Sequence, residues 1–112
     1  MTKACDNNST KEYKERDTSL DSLRVKATTD VKKLANAICI AMRDRSVCEV
    51  ISIGAAAVNQ AVKGLASANG LISTNGYKLN MTPFFRTITL TSGEAKTAIV
   101  FMVTKEQIPF LS

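Results

Sequence analysis

The six residues Ala98–Val103 all carry apolar side chains. A half-exposed strand alternates apolar and polar positions, whereas a continuous apolar run of this length is typical of a strand that is buried on both faces. The chain has 112 residues, which is enough for one domain with a substantial core but hardly for two. We therefore predict a single layered domain in which this run forms an inner strand.

The excess of positive charge belongs to only part of the chain. Lysine and arginine number 15 against 10 aspartates and glutamates, so the net charge is +5. Residues 1–19 hold four basic and four acidic residues and almost nothing to bury, which predicts a polar, flexible N-terminal tail. The excess lies in a predicted domain over residues 20–105. A short C-terminal tail over residues 106–112 is predicted to follow this domain. A basic domain favours an anionic partner.

Composition argues against catalysis and against metal binding. The chain has no histidine, the commonest general base and metal ligand, and its acidic residues show no pairing on one face. Its three cysteines, Cys5, Cys39 and Cys48, lack CxxC spacing and indicate neither a zinc site nor a disulfide framework. We expect no enzymatic activity, no metal and no cofactor, and we expect Cys39 and Cys48 to be buried as small apolar residues.

The sequence also lacks the usual signals for membranes and export. No apolar stretch approaches the roughly 18 residues that a membrane-spanning helix needs. The first 19 residues lack the apolar middle of a secretory signal. We expect a protein of the cytoplasm, where it could associate with the nucleoid, and we expect no membrane partner.

Hydrophobic periodicity predicts the order β-α-β-α-β-β. Apolar and charged residues alternate from Leu23 to Ala27, as in a half-buried strand, and three-and-four spacing then predicts a helix capped by Asp30 or a neighbouring threonine. The second helix is predicted to bury Val62 and to end at Gly70. The predicted elements are a strand at Leu23–Ala27, a helix from Val31 to about Arg45, a strand at Cys48–Ile53, a helix at Ala55–Asn69, a strand over 79–90 and a strand at Lys96–Thr104.

The third strand changes the parity of its apolar positions. Leu79 and Met81 alternate with polar residues at odd positions, whereas Ile88 and Leu90 do so at even positions. Because Pro83 lies between the two halves, we predict a bulge or break that divides this strand.

These elements define an α/β fold class: a two-layer sandwich of a mixed four-stranded sheet with two helices on one face. With both helices on one face, the run Ala98–Val103 would expose apolar side chains on the other face unless a second chain covered them. We therefore expect a homodimer or a higher homo-oligomer.

Five short runs and two glycines carry a resemblance to a known family: Leu23–Ala27, Met42–Arg45, Ser52–Ala55, Asn59–Lys63, Lys96–Ile99, Gly70 and Gly76. They resemble the bacterial stage V sporulation protein S family, which is grouped with the Alba superfamily of small dimeric chromatin and RNA-binding proteins. The resemblance covers about Leu20–Lys105. It implies an Alba-like fold, DNA or RNA binding, and a role in developmental or sporulation regulation.

The resemblance and the basic composition together indicate where nucleic acid would bind. Alba proteins contact it near the start of the first helix, at the start of the second helix and on the last hairpin. Where many Alba proteins carry arginines around the glycine before the second helix, this chain has Ile53, Ala55 and Ala56. We expect weak or sequence-independent phosphate binding. The predicted contacts are Lys32, Lys33, Gly54, Asn59, Gln60, Lys63, Arg86 and Lys96.

The predicted contacts have structural alternatives. Gly54 either makes a tight turn before a packed helix or, with Asn59 and Gln60 as donors, helps to bind an anion. The basic residues either contact phosphates or keep the surface soluble. Phe84 and Phe85 either pack in the core or stack on unpaired bases.

Another class of function also fits the sequence. The chain could be a protein-assembly module that oligomerises through its sheet face without binding nucleic acid. The segment Ile108–Leu111 either covers the sheet or binds a partner, and the sequence does not decide between them.

Overall fold

A computed structural model describes residues 21–109 of the chain. The predicted tail over residues 1–19 lies outside the described residues, as do Phe110, Leu111 and Ser112. The described elements are β1 (Asp21–Val25), α1 (Val31–Asp44), β2 (Val47–Ser52), α2 (Ala55–Ser73), β3 (Tyr77–Thr89) and β4 (Ala95–Gln107). They follow the predicted order, and β4 continues three residues further than expected.

The four strands form one mixed sheet in the order β1-β2-β4-β3. β1 and β2 are parallel and are joined through α1, whereas β4 runs antiparallel to both of its neighbours. The helices pack against each other and on one face of the sheet, and the main core draws residues from all six elements. This architecture confirms the predicted fold class and gives the apolar β4 run the expected inner position.

α1 begins where the sequence predicts because the Asp30 carboxylate caps it. Asp30 Oδ1 accepts hydrogen bonds from the backbone N–H groups of Lys32 (2.9 Å) and Lys33 (3.2 Å). Such a cap contributes about 1 kcal/mol to helix stability. The apolar stripe of the helix is buried as expected, at Leu34, Ala35, Ile38, Ala41 and Met42.

α2 is longer than predicted. Gly70 lies inside the helix rather than after it, and the helix ends at Ser73, before a turn in which Gly76 has a φ of +84°. The side chain of Ile72 is buried in the core, so it favours one more turn and offsets the cost of about 1 kcal/mol for an interior glycine.

The buried face of α2 also differs from the prediction. Val62 is 48% exposed, and Gly64 instead belongs to the buried stripe of the helix. Gly64 lies directly against Leu34 of α1. The buried stripe is Ala57, Ala61, Gly64, Leu65, Ala68 and Ile72.

We expect Gly64→Ala to lower the free energy of unfolding by about 1–3 kcal/mol, as overpacking does in tight cores. An added Cβ would overlap Leu34 Cδ2 and lie 2.7 Å from its Cγ. Urea denaturation measures the change. Gly70→Ala is the matched control in the same helix, because no atom lies within 4 Å of the added Cβ, and it should stabilise by about 0.5–1 kcal/mol. Equal effects of the two substitutions would contradict the close contact at Gly64.

β3 is one continuous strand, and the predicted bulge at Pro83 is wrong. Every residue of β3 pairs with β4 in a single register, including Pro83 opposite Phe101. β3 is an edge strand, where proline is tolerated because no second neighbour needs its N–H. The parity change has another cause: Leu79 belongs to the core beneath the helices, whereas Ile88 belongs to a cluster on the opposite face.

The face of the sheet away from the helices has its own small core. Ile51, Ile88, Ala98 and Val100 are buried there. Ala98 and Val100 are fully buried within the single chain, so the expectation that they need a second chain to cover them is wrong. The large apolar side chains that stay exposed in the described part of the chain are Ile40, Val62, Leu71, Met81, Phe84 and Phe85.

The two cysteines of the described region differ in accessibility. Cys48 is fully buried, as expected. Cys39 is only half-buried; its thiol lies 3.8 Å from the Ala68 carbonyl oxygen, and burial raises the pKa of that thiol.

Candidate nucleic-acid interface

Both helices begin at the same end of the sheet. β1 and β2 are parallel, so their carboxyl ends lie side by side, and α1 and α2 start just beyond them. β4 pairs with β2 only from Ile99 onward, so the β3–β4 hairpin extends past this edge. We call this the helix-start end, marked by Lys26, Asp30 and Gly54. In open α/β sheets, ligands usually bind at the carboxyl ends of the strands.

The loop between β1 and α1 is fixed by hydrogen bonds. Thr29 N–H donates to the Lys26 carbonyl oxygen (3.0 Å), and Lys26 N–H donates to Thr29 Oγ1 (2.7 Å). The side-chain amide of Gln60, in α2, donates to the Thr29 carbonyl oxygen (2.8 Å). Gln60, a predicted contact, therefore holds the loop that carries Lys26 in place beside α2.

Lys32 and Lys33 lie in the first turn of α1, and both are exposed. Cations in a first turn oppose the helix dipole by a few tenths of a kcal/mol. The Asp30 carboxylate offsets this repulsion, because it bonds the backbone N–H groups of the same two lysines. Asp30 thereby occupies N–H groups that a phosphate would otherwise use. A phosphate at this position can be contacted by the lysine side chains.

The start of α2 has no such side-chain cap. Gly54 is the N-cap residue, with a φ of +94° that favours glycine, and no side chain bonds the first turn. The N–H groups at exposed Ala55 and Ala56 therefore stay available to an anion. Asn59 and Lys63 are exposed one and two turns later, with Lys63 about 12 Å along the helix from its start.

A cleft of about 270 Å³ lies at the carboxyl end of the parallel strands, and two basic residues line it. Arg24 and Lys26 line it together with apolar side chains that include Ile51 and Ile53. Arg24 is paired with Ile51 in the sheet, and Ile51 belongs to the small core on the face away from the helices. Basic side chains thus lie on both faces of the sheet at the helix-start end.

The two predicted contacts on the hairpin have acidic partners. Lys96 Nζ lies 3.6 Å from Glu94 Oε2, and because both side chains are exposed this pair contributes little to stability. Arg86 reaches across β4 to β2, where its Nη1 and Nη2 donate to the two carboxylate oxygens of Glu49, at 3.0 and 2.5 Å. Glu49 is buried and also accepts from the Ser22 hydroxyl at 3.1 Å. The guanidinium of Arg86 is therefore engaged by a buried carboxylate.

The two phenylalanines beside Arg86 point to opposite faces of the sheet, as successive strand residues do. Phe84 lies beneath the guanidinium, with its ring centroid 5.4 Å from Arg86 Cζ. Phe85 is 76% exposed on the face that carries the helices, so it does not belong to the core.

Ion pairing distinguishes the two ends of the molecule. At the end where the helices finish, three basic residues pair with acids: Arg43 with Asp44, Arg45 with Asp21, and Lys78 with Glu106. Within residues 21–109, Lys105 at that end has no carboxylate within 4.0 Å, but four lysines at or near the helix-start end have none: Lys26, Lys32, Lys33 and Lys63. Positive charge is therefore least neutralised where the helices begin.

Sequence reasoning missed the partner of Arg86. Glu49 is the lone charged residue of the run Val47–Ile53, and a lone acid in a buried strand needs a donor because an unpaired buried charge is costly. That signal is visible in the sequence. The identity of the donor is not, because it depends on β4 lying between β2 and β3.

Two features are absent from residues 21–109. None of the helices is long and apolar enough to cross a membrane. The described residues also hold no group of three or more histidine, cysteine, aspartate or glutamate side chains that could bind a metal ion.

The fold and the charge distribution define a small two-layer α/β protein with an Alba-like element order and a positively charged surface at the helix-start end. The family model for stage V sporulation protein S (SpoVS) matches residues 21–106. The chain belongs to this family, which confirms the resemblance seen in its sequence.

Proposed function

We propose that this protein is a non-enzymatic nucleic-acid-binding protein that holds DNA or RNA through phosphate contacts without reading sequence. The observation that carries the proposal is the set of four lysines at or near the helix-start end that have no carboxylate within 4.0 Å among the described residues: Lys26, Lys32, Lys33 and Lys63. Lysines that neutralise phosphates release bound counterions, which favours binding to any sequence. Membership of the SpoVS family supports a sporulation-related role, which the protein would perform in the cytoplasm or on the nucleoid.

The number of lysines without a carboxylate partner at or near the helix-start end sets the expected salt dependence. Each phosphate contact adds about 0.9 to the slope of log affinity against log salt for duplex DNA, so four contacts give a slope of about −3.6. Arg86 adds nothing to this slope while it stays paired with Glu49. Fluorescence-anisotropy titrations with labelled duplex DNA, single-stranded DNA and RNA, from low to physiological salt, measure it. Absence of binding to all three at low salt would contradict the proposed function.

We also propose that the protein forms a homodimer, and the exposed apolar residues favour β3 as the contact. Met81, Pro83 and Phe85 occupy alternate positions of this edge strand, lie on the same face and are all exposed. A continuous apolar strip on an edge strand is a typical surface for association with a second chain.

The double substitution Met81→Glu, Phe85→Glu should convert a dimer into a monomer, because it sets two charges on each side of the proposed contact. Light scattering coupled to size-exclusion chromatography measures the mass. Ile40→Glu is the control, because Ile40 is as exposed as Met81 but lies on α1. A monomeric wild type at micromolar concentration, or a dimer that survives the double substitution, would refute β3 as the interface.

The alternative function is a protein-assembly module without nucleic-acid binding, and the same β3 strip favours it. It would replace the first proposal if assemblies larger than a dimer form and none of the three nucleic acids binds at low salt. The titration and the mass measurement together therefore separate the two functions.

A further inference from the structure

A groove lies between the C-terminal halves of α1 and α2, at the opposite end of the molecule from Lys26, Lys32 and Lys33. Its volume is about 340 Å³, which is at the lower end of the range for ligand pockets. Ile40 and Met42 of α1 and Leu71 and Ile72 of α2 line its apolar part. The proposed function makes no use of this groove.

The groove is open, and its walls expose apolar surface. Ile40 and Leu71 are each about half exposed, one on each helix. A small ligand usually has most of its surface buried in an enclosed pocket. A shallow groove between two helices instead suits one or two large side chains that project from a peptide.

The charged residues that line the groove are both positive. Arg43 and Lys105 line it, and none of its lining residues within the described chain is acidic. The Arg43 guanidinium is 3.0 Å from Asp44, but both side chains are largely exposed, so a new carboxylate can compete for it at little cost. Lys105 Nζ lies 4.6 Å from the centre of the Tyr77 ring, which holds this cation beside the groove.

We propose that the α1–α2 groove is a docking site for an acidic peptide segment of a partner protein. A leucine or phenylalanine of that segment packs between Ile40 and Leu71, and its carboxylates lie against Arg43 and Lys105. Charge complementarity favours this occupant over a second copy, because a two-fold contact through the groove would set the same positive residues on both sides. The apolar walls favour it over nucleic acid, whose phosphates gain nothing from them.

The test uses capped synthetic peptides and the amide and methyl NMR spectra of the isotope-labelled full chain. The probe peptide has the sequence Glu-Glu-Leu-Phe-Glu-Glu. One control peptide replaces every glutamate by lysine, and another replaces the leucine and phenylalanine by serine. We expect the probe to shift the signals of Ile40, Leu71 and Ile72, and we expect both control peptides to leave them unchanged.

Variants of the protein identify the site. Leu71→Glu should weaken binding of the probe by about tenfold or more, because it removes the apolar contact of a large side chain and adds a repelling charge. Lys105→Glu should also weaken it. Val62→Glu is the matched control, since Val62 is equally exposed on the same helix but outside the groove.

The NMR results distinguish an acidic peptide from the other possible occupants of the groove. Equal shifts with the acidic and the basic peptide, or no shifts at the groove with the probe, would overturn the proposal. Concentration-dependent shifts of groove signals without any peptide would assign the groove to a second copy and would overturn it too. The proposal is independent of nucleic-acid binding, so either can fail while the other holds.

Discussion

Reversing the charge of Lys32 and Lys33 together, by Lys32→Glu and Lys33→Glu, should weaken binding of duplex DNA by about a hundredfold at low salt. A hydrogen bond to a charged group contributes about 1.5–3 kcal/mol, and 1.4 kcal/mol is a factor of ten, so losing two contacts at the lower end of that range has an effect of this size. The salt slope should fall by about 1.8, because two phosphate contacts disappear. Anisotropy titration measures both quantities.

The fold should survive this double substitution. Both side chains are exposed, and Asp30 caps α1 through backbone N–H groups that the substitution retains. Acidic residues also suit the first turn of a helix better than lysines do. Circular dichroism and urea denaturation check that the variant is folded and at least as stable as the wild type.

The control variant makes the same change in net charge as the Lys32, Lys33 double substitution, but at the other end of the molecule. Lys78→Glu together with Lys105→Glu alters residues near the end where the helices finish. We expect this variant to lose far less affinity and to keep the salt slope of the wild type. If both doubles weaken binding equally, net charge and not the helix-start end determines the affinity.

Arg86→Met should destabilise the protein by about 3 kcal/mol, the lower end of the range for breaking a buried ion pair. The substitution leaves the Glu49 carboxylate, 5% exposed, without its bidentate partner. Methionine retains an apolar chain over β4, so the effect reports mainly on the lost charge. Glu49→Gln should cost less, about 1–2 kcal/mol, because the Arg86 side chain is one-third exposed and can turn to water.

A double-mutant cycle tests this pair. Replacing both partners by apolar residues, as in Glu49→Leu with Arg86→Met, should restore most of the stability, because neither charge is then left buried alone. Thermal and urea unfolding measure the four proteins. Additive losses in the double variant would contradict a coupled pair. Because Arg86 is engaged in the sheet, folded Arg86→Met protein should bind duplex DNA with nearly the salt slope of the wild type.

Periodicity was sufficient to predict the fold class but not the path of β3. Alternation, the Asp30 cap and the apolar run of β4 each depend on local patterns, and the structure confirms all three. The parity change in β3 predicts a bulge only if the strand buries the same face along its whole length. The strand instead buries Leu79 under the helices and Ile88 on the opposite face, which only the three-dimensional layout reveals.

The sequence predicted which residue types would be exposed at the candidate site, but it did not predict which of those side chains are engaged by other parts of the fold. Lys32, Lys33 and Lys63 are exposed, as residue type suggests. Gln60 and Arg86 have the same polar or basic character, yet the fold gives them backbone and carboxylate partners far away in sequence. Side-chain partners across more than thirty positions depend on strand order and helix packing, which a charge count does not contain.

Pro83 limits how this molecule can polymerise. A long edge strand normally offers a row of backbone donors and acceptors on which another strand can form, and repeated pairing of this kind produces fibres. Proline on an edge strand presents its nitrogen to the outside and supplies no donor there. Pro83 therefore weakens backbone pairing between any copies that would meet at β3, and it favours association through side chains such as Phe85.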